Sequence, residues 1–136
     1  MLSDFINNND VLKTNNLVDS KFLNDAQKLI GIAMGPQLKK YIMEYGFLIY
    51  GSVEFNGVNS KQKMESDLIT QTLYLHKYFP LTKKFYAIGN RGDGLYCLAD
   101  SSDGVFEFDL ENNILTNVNR SLFDYIFRRF EEEKSL

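Results

Sequence analysis

Residues 89–109, GNRGDGLYCLADSSDGVFEFD, decide which fold the sequence favours. The stretch places four glycines and four aspartates around two short apolar runs. Three interpretations are compatible with this pattern: a loop that binds phosphate, a loop that binds a metal ion, or two chain turns between strands. The first two would indicate an enzyme or an ion sensor, whereas two turns predict a scaffold that acts through its surface.

The residues on either side of the first glycines argue against a phosphate-binding loop. A nucleotide-binding fingerprint has its glycines after a strand and directly before a helix, because the unpaired N–H groups of the helix N-terminus hold the phosphate. Here one extended run, 85–88, precedes the glycines, and a second extended run, 95–98, follows them. This order predicts a β-hairpin.

A calcium loop fails at specific positions. Counted from Asp100, an EF-hand loop would need an oxygen ligand at the fifth place and glycine at the sixth, where the sequence has Gly104 and Val105. Asp103 followed by Gly104 is instead a strong signal for a tight turn, because both residues tolerate positive φ angles. We therefore expect two turns, with neither a metal ion nor a cofactor.

Groups suited to catalysis are sparse. Asp100, Asp103 and Asp109 lie close in sequence, but paired catalytic acids need environments that separate their pKa values, and turn aspartates are ordinarily solvated. The one histidine, His76, has no second histidine with which to share a metal ion. We expect no catalytic residues, so the protein is predicted not to be an enzyme.

Composition indicates the cellular compartment and excludes some classes of partner. A chain of 136 residues is long enough for a single domain with a substantial core, and its one cysteine, Cys97, favours a reducing compartment. A net charge of -3 argues against direct contact with nucleic acid. The acidic N-terminus and the lack of a long apolar segment argue against secretion and membrane spanning. We expect a cytoplasmic protein.

Apolar periodicity predicts an α+β fold. Residues 1–19 are expected to form an arm or a short helix, and residues 20–136 the domain itself. We predict a mixed or antiparallel sheet of four to six strands, packed against helices on one face. At the last helix, Ser121 and Asp124 resemble a capping box. Helices are predicted at 20–31, 36–46, 60–79 and from 121 onward. Strands are predicted within 47–58, 85–88, 95–98 and 105–110.

Alternation along the third strand of the glycine-rich region predicts a wet face. Phe106 and Phe108 are expected to point to the core, and the carboxylates between and after them to the opposite face. Together with acids from another strand and from the turns, these carboxylates could form an acidic surface, or they could be an ordinary solvated sheet face. The acids of this predicted surface are Glu54, Asp93, Asp103, Glu107 and Asp109.

Two long stretches give the chain a family resemblance. Residues 26–57, AQKLIGIAMGPQLKKYIMEYGFLIYGSVEFNG, followed by residues 85–109 and an amphipathic last helix, resemble the SUKH superfamily of Smi/Knr-type domains. The resemblance covers roughly residues 20 to 133 and rests on the order of elements as much as on letters. The chain departs from the family pattern where Met34-Gly35-Pro36 replaces a common Leu-Pro, and in having no tryptophan.

The resemblance implies a function as well as a fold. Bacterial members of the superfamily are commonly immunity proteins that bind and block polymorphic toxins, often nucleases, whereas fungal members are signalling and cell-wall regulators. We therefore expect a cognate protein toxin as the partner, and an acidic chain suits a basic nuclease domain. A protein-interaction adaptor and a small-ligand or enzymatic domain remain alternatives. The expected partner-binding residues are Glu54, Asp93, Tyr96, Asp103, Glu107 and Asp109.

Overall fold

The computed structural model describes residues 1–59 and 63–136, with the backbone alone for Lys63. In this part of the chain there are five α-helices and six β-strands, with two short 3-10 turns at Lys63–Glu65 and Pro80–Thr82. The helices are α1 (Leu2–Asn8), α2 (Ser20–Ile30), α3 (Pro36–Glu44), α4 (Asp67–Tyr78) and α5 (Leu122–Lys134). The strands are β1 (Leu48–Tyr50), β2 (Val53–Phe55), β3 (Tyr86–Asn90), β4 (Leu95–Ala99), β5 (Gly104–Asp109) and β6 (Ile114–Ser121).

The strands form two antiparallel sheets, which confirms the predicted α+β class. β1 and β2 make a two-stranded sheet, and β3 to β6 make a four-stranded meander in sequence order. The sheets meet where the Asn56 N–H donates to the Ile88 carbonyl over 2.8 Å. β6 was not predicted, because its sequence, ILTNVNRS, is mostly polar and lacks the apolar alternation of a half-buried strand. The predicted helix over 60–79 begins at residues outside the described part, and α4 starts at Asp67.

The glycine-rich region forms the two predicted turns. Between β3 and β4 the chain reverses through Gly92, Asp93 and Gly94, which all have positive φ angles, of 91°, 54° and 77°. Between β4 and β5 it reverses at Asp100–Asp103, where the Asp103 N–H donates to the Asp100 carbonyl over 3.1 Å. A strand, rather than a helix, follows each turn. The prediction of two hairpin turns is therefore confirmed.

The four-stranded sheet buries apolar side chains on both of its faces. Its inner face, which carries Cys97, Ala99 and Val105, packs into the main core with α3 and α5. Its outer face carries Phe106 and Phe108, which belong to a smaller cluster completed by residues of α4 and of the segment after it. The predicted orientation of β5 was wrong, because the Phe residues point away from the main core. Alternation alone cannot say which of two apolar faces meets the helices.

The N-terminal residues join the same core. Leu2, Phe5 and Ile6 of α1 are buried, and the Phe5 ring lies 5.1 Å from Tyr50 and 5.6 Å from Phe130. These aromatic contacts connect α1 to β1 and to α5. The predicted short helix at the N-terminus therefore packs against the domain that residues 20–136 were expected to form alone.

Asp103, in the turn between β4 and β5, caps one helix and contacts the start of another. Its carboxylate accepts hydrogen bonds from the N–H groups of Gln37, over 2.8 Å, and Leu38, over 3.0 Å. These are amides of the first turn of α3, which an N-cap side chain usually binds. Here the N-cap is Gly35, where a Cβ atom would overlap the Asp103 carboxylate. A distant aspartate thus replaces the missing cap.

The start of α5 is held from the same place. The Leu122 N–H donates to the Asp103 carbonyl over 2.9 Å, and the Phe123 N–H donates to the Gln37 side-chain oxygen over 2.8 Å. The capping box predicted from Ser121 and Asp124 was wrong, because the Ser121 side chain makes no cap bond. The N-termini of α3 and α5 are therefore joined through one turn of the sheet.

Replacing Asp103 by Asn should lower the free energy of unfolding by about 2 kcal/mol. An amide offers one acceptor oxygen to two backbone N–H groups and removes the charge, while Asn still tolerates the positive φ of 64° at this position. Urea denaturation measures the loss. The matched control is Asp93→Asn, at an exposed turn position with a φ of 54°, which should change stability by less than about 0.5 kcal/mol. Equal effects of the two substitutions would contradict the capping role.

Candidate functional site

The six residues predicted to bind a partner do not form one surface. Glu54 is exposed in the two-stranded sheet, and Asp93 is exposed at the β3–β4 turn. Asp103 is only 4% exposed, so its predicted place on the surface was wrong: its carboxylate is buried against α3. Glu107 and Asp109 share the inner face of β5, and Tyr96 lies on the outer face. The binding role of these residues stays a prediction, but the structure separates them.

Glu107 is bound by its neighbours and is not a free carboxylate. It accepts hydrogen bonds from Arg91, over 2.7 Å, and from the Tyr125 hydroxyl, over 2.8 Å. The Tyr125 oxygen in turn lies 2.9 Å from the Cys97 sulfur. Because Tyr125 gives its one proton to Glu107, the thiol of Cys97 donates to the phenol oxygen. The four side chains form a connected polar network under α5.

Burial keeps two members of this network protonated. Burial raises the pKa of the Cys97 thiol, against a smaller lowering by the hydrogen bond to Tyr125. Burial also raises the pKa of Tyr125, and the neighbouring Cys97 and Glu107 raise it further. A thiol that stays protonated is a poor nucleophile. The arrangement therefore favours a structural role for Cys97.

The Asp109 side chain is hydrogen-bonded within its own turn. Its carboxylate accepts from the Asn112 side chain, over 2.8 Å, and from the Asn112 backbone N–H, over 3.1 Å. These bonds, the side-chain bond first, hold the pKa of Asp109 below its usual value. The carboxylate thus stabilises the reversal between β5 and β6.

Sequence reasoning missed an aromatic surface on the outer side of the molecule. Tyr74 and Tyr78 of α4 are 46% and 57% exposed, and their rings lie 5.2 Å apart. We define the aromatic face as five side chains that are exposed or half-buried on this side: Tyr74, Tyr78, Phe79, Tyr96 and Phe106.

Buried rings support the aromatic face from beneath. Phe79 packs against Phe108 at 5.6 Å, and Phe106 packs against Phe85 at 4.9 Å. Tyr96 lies beside Tyr74, and its pKa is raised first by burial and then by that neighbouring phenol. The spacing of Tyr74 and Tyr78, four residues apart in a helix, was the available signal in the sequence. The rings are consequently presented on a rigid support.

An exposed aromatic surface on rigid elements is suited to contact with another protein. Tyr and Phe are enriched in the cores of protein interfaces, because they bury a large area with few rotatable bonds.

Among residues 1–59 and 63–136, no group of three or more His, Cys, Asp or Glu side chains could hold a metal ion. No helix in the same residues is long and apolar enough to cross a membrane.

Reversing the charge of Glu107 should destabilise the fold. In Glu107→Lys an ammonium group would face Arg91, and the Tyr125 hydroxyl would lose its acceptor, so we expect a loss of about 2 kcal/mol in urea denaturation. Glu107→Gln, which keeps an acceptor oxygen, should cost less. The control is Glu111→Lys, at an exposed position in the next turn, with a change below about 0.5 kcal/mol. Equal stability of the two Lys variants would show that the network contributes nothing.

Comparison with known proteins agrees with this fold. A SUKH family model described as SMI1-KNR4 cell-wall matches residues 2–131, nearly the whole chain. No curated protein matches the chain. The matched range begins within α1 and ends within α5, so it includes both sheets and the N-terminal helix that the sequence resemblance had left out. The chain belongs to the SUKH family described as SMI1-KNR4 cell-wall.

Proposed function

We propose that the protein is a non-catalytic binding protein, an immunity protein that binds and neutralises a cognate polymorphic toxin. Membership of the SUKH family supports the domain type. The single observation that carries the choice of surface is the aromatic face, where two tyrosines are about half exposed on a regular helix. The toxin would cover this face.

Tyrosine side chains account for the strength of such a contact. Binding energy in protein interfaces is concentrated in a few buried residues, and Tyr is among the types most enriched there. Tyr74 and Tyr78 are held in contact with each other, and Tyr74 also lies 6.3 Å from Phe79. Little side-chain freedom is therefore left for binding to remove.

Charge would guide the encounter and not hold the complex. The net charge of -3 favours approach of a basic partner, such as a nuclease domain. Of the six residues expected from sequence, Tyr96 belongs to the aromatic face, while Glu54 and Asp93 are exposed carboxylates that could contribute to steering. Asp103, Glu107 and Asp109 act within the fold.

The proposed lack of catalysis rests on the state of the polar groups. Cys97 and Tyr125 would each have to ionise to act as a nucleophile or a base, and burial shifts both pKa values away from the ionised form. Their hydrogen bonds are used by each other and by Glu107. These properties support a binding protein over an enzyme.

A second candidate is an intracellular adaptor of the Smi/Knr type. The family description, SMI1-KNR4 cell-wall, names the type of domain on which this alternative rests. Such an adaptor would use the same aromatic face to bind an endogenous regulatory protein. Protection of cells from a toxin distinguishes the two functions, because an adaptor would give none.

The test uses the toxic domain that this proposal expects to be encoded beside the gene. Co-expression of the wild-type protein should restore growth, and calorimetric titration should give a complex of one to one. Tyr74→Ala combined with Tyr78→Ala should weaken binding by about a thousandfold, from about 2 kcal/mol for each interface tyrosine. Leu29→Ala combined with Met43→Ala is the matched control, since these side chains are 51% and 38% exposed elsewhere; it should leave the affinity unchanged.

Two outcomes would contradict parts of the proposal. Full affinity of the tyrosine double variant would exclude the aromatic face as the contact. Binding without restored growth would exclude neutralisation, and neither binding nor restored growth would favour the adaptor. Thermal unfolding of both double variants checks that each remains folded.

A further inference from the structure

The proposed function does not use an arginine-lined cleft, which lies between α5 and the open part of the inner sheet face. Its volume is about 530 Å³, within the range of small-molecule sites. Four arginines reach it from three places: Arg91 after β3, Arg120 on β6, and Arg128 and Arg129 on α5. We define these residues, with the cleft they line, as the arginine cleft.

The guanidinium groups are only partly used by acids of the chain. Arg91 binds Glu107 through one Nη, and Arg120 binds Asp124 through one Nη, over 2.9 Å. Arg128 reaches the same Asp124 through Nε alone, over 3.3 Å. Each guanidinium carries five N–H donors, so most of the donors in the cleft have no acid to bind. The free donors exceed what a structural ion pair needs.

Arg129 adds a positive charge that is not directly paired. It is half-buried beside the Cys97 and Tyr125 network, and within the described residues it makes no ion pair. The pKa of Glu133 is lowered first by its hydrogen bonds from Ser52, over 2.9 Å, and to a smaller extent by the charge of Arg129. A half-buried guanidinium in a concave site is a ready partner for an anion.

The acids in and beside the cleft equal its arginines in number, four of each, so a preference for an anion depends on where the charges lie. Asp124 and Glu107 neutralise two of the four arginines. The two remaining positive charges are opposed by Glu131 and Glu132, which line the cleft but are exposed to solvent. Water and salt screen exposed carboxylates more strongly than a half-buried guanidinium. Arg129 is therefore the least screened arginine of the cleft, and an anion would bind against its guanidinium.

We propose that the arginine cleft binds a small phosphate-bearing molecule. Guanidinium groups present paired donors that match phosphate oxygens, and several of them converge here on one concave space. Tyr125 also lines the cleft, and its hydroxyl remains uncharged, so it does not repel an anion. The concave shape favours a small ligand, because a folded partner would contact the rim only. The site is separate from the aromatic face, so toxin binding is not required for it.

The experiment titrates pyrophosphate into the full chain at low ionic strength, with heat and backbone NMR shifts as readouts. The wild type should show saturable binding of one pyrophosphate, with shifts around Arg91, Arg120 and the C-terminal half of α5. Arg129→Gln should raise the dissociation constant about tenfold or more, as expected for loss of a charge-assisted hydrogen bond. Lys28→Gln, an exposed cation on α2, is the matched control and should leave the constant unchanged.

A variant that binds pyrophosphate more tightly than the wild type cannot be explained by loss of folding. Glu131→Gln combined with Glu132→Gln should lower the dissociation constant about threefold, because it removes two opposing charges at the surface of the cleft. Citrate serves as a carboxylate probe of comparable charge and should bind more weakly than pyrophosphate. Absence of saturable binding, equal affinity of wild type and Arg129→Gln, or equal binding of citrate and pyrophosphate would each overturn the proposal.

Discussion

The carboxylate of Asp103 is the contact on which the arrangement of helices and sheet depends. It binds two backbone N–H groups at the start of α3, while the carbonyl of the same residue accepts from the start of α5. Without it, buried or half-buried N–H groups at the start of α3 would lose their acceptor. The free energy lost in this way would have to come from additional burial of apolar area. A single turn of the sheet thus fixes where two helices begin.

That constraint also places the two surfaces on opposite sides of the meander. α5 runs over the inner face from the Asp103 turn, and the part of the face that it leaves open becomes the arginine cleft. On the outer face, α4 and the segment after it cover the sheet incompletely and leave the aromatic face. The arginine cleft and the aromatic face are therefore separated by the thickness of one sheet. A substitution in one of them makes no direct contact with the other.

Local signals predicted most of the fold and little of the site. The turns were predictable because Gly92, Gly94 and Asp103 need backbone conformations that few residues adopt, and that need is visible in the sequence. α2, α3 and α5 followed from apolar spacing. The burial of Asp103 was not predictable, since its partner amides lie about 65 positions earlier and only the fold brings them near.

The same limit explains the errors at the surface. Phe106 and Phe108 alternate with Val105 and Glu107 in a strand whose two faces are both covered in part, so hydrophobicity could not identify the inner one. The arginine cleft joins side chains from the residue after β3, from β6 and from α5, and no spacing along the chain connects them. Its existence depends on tertiary packing alone.

The sequential strand order of the meander has a consequence for the route of folding. Each pairing from β3 to β6 joins neighbours along the chain, so the sheet can grow by successive hairpins with short loops to close. α1, by contrast, reaches its place when Phe5 meets Phe130 across nearly the whole sequence, and that closure carries a larger entropy cost. The meander should thus gain protection from hydrogen exchange before the N-terminal helix docks.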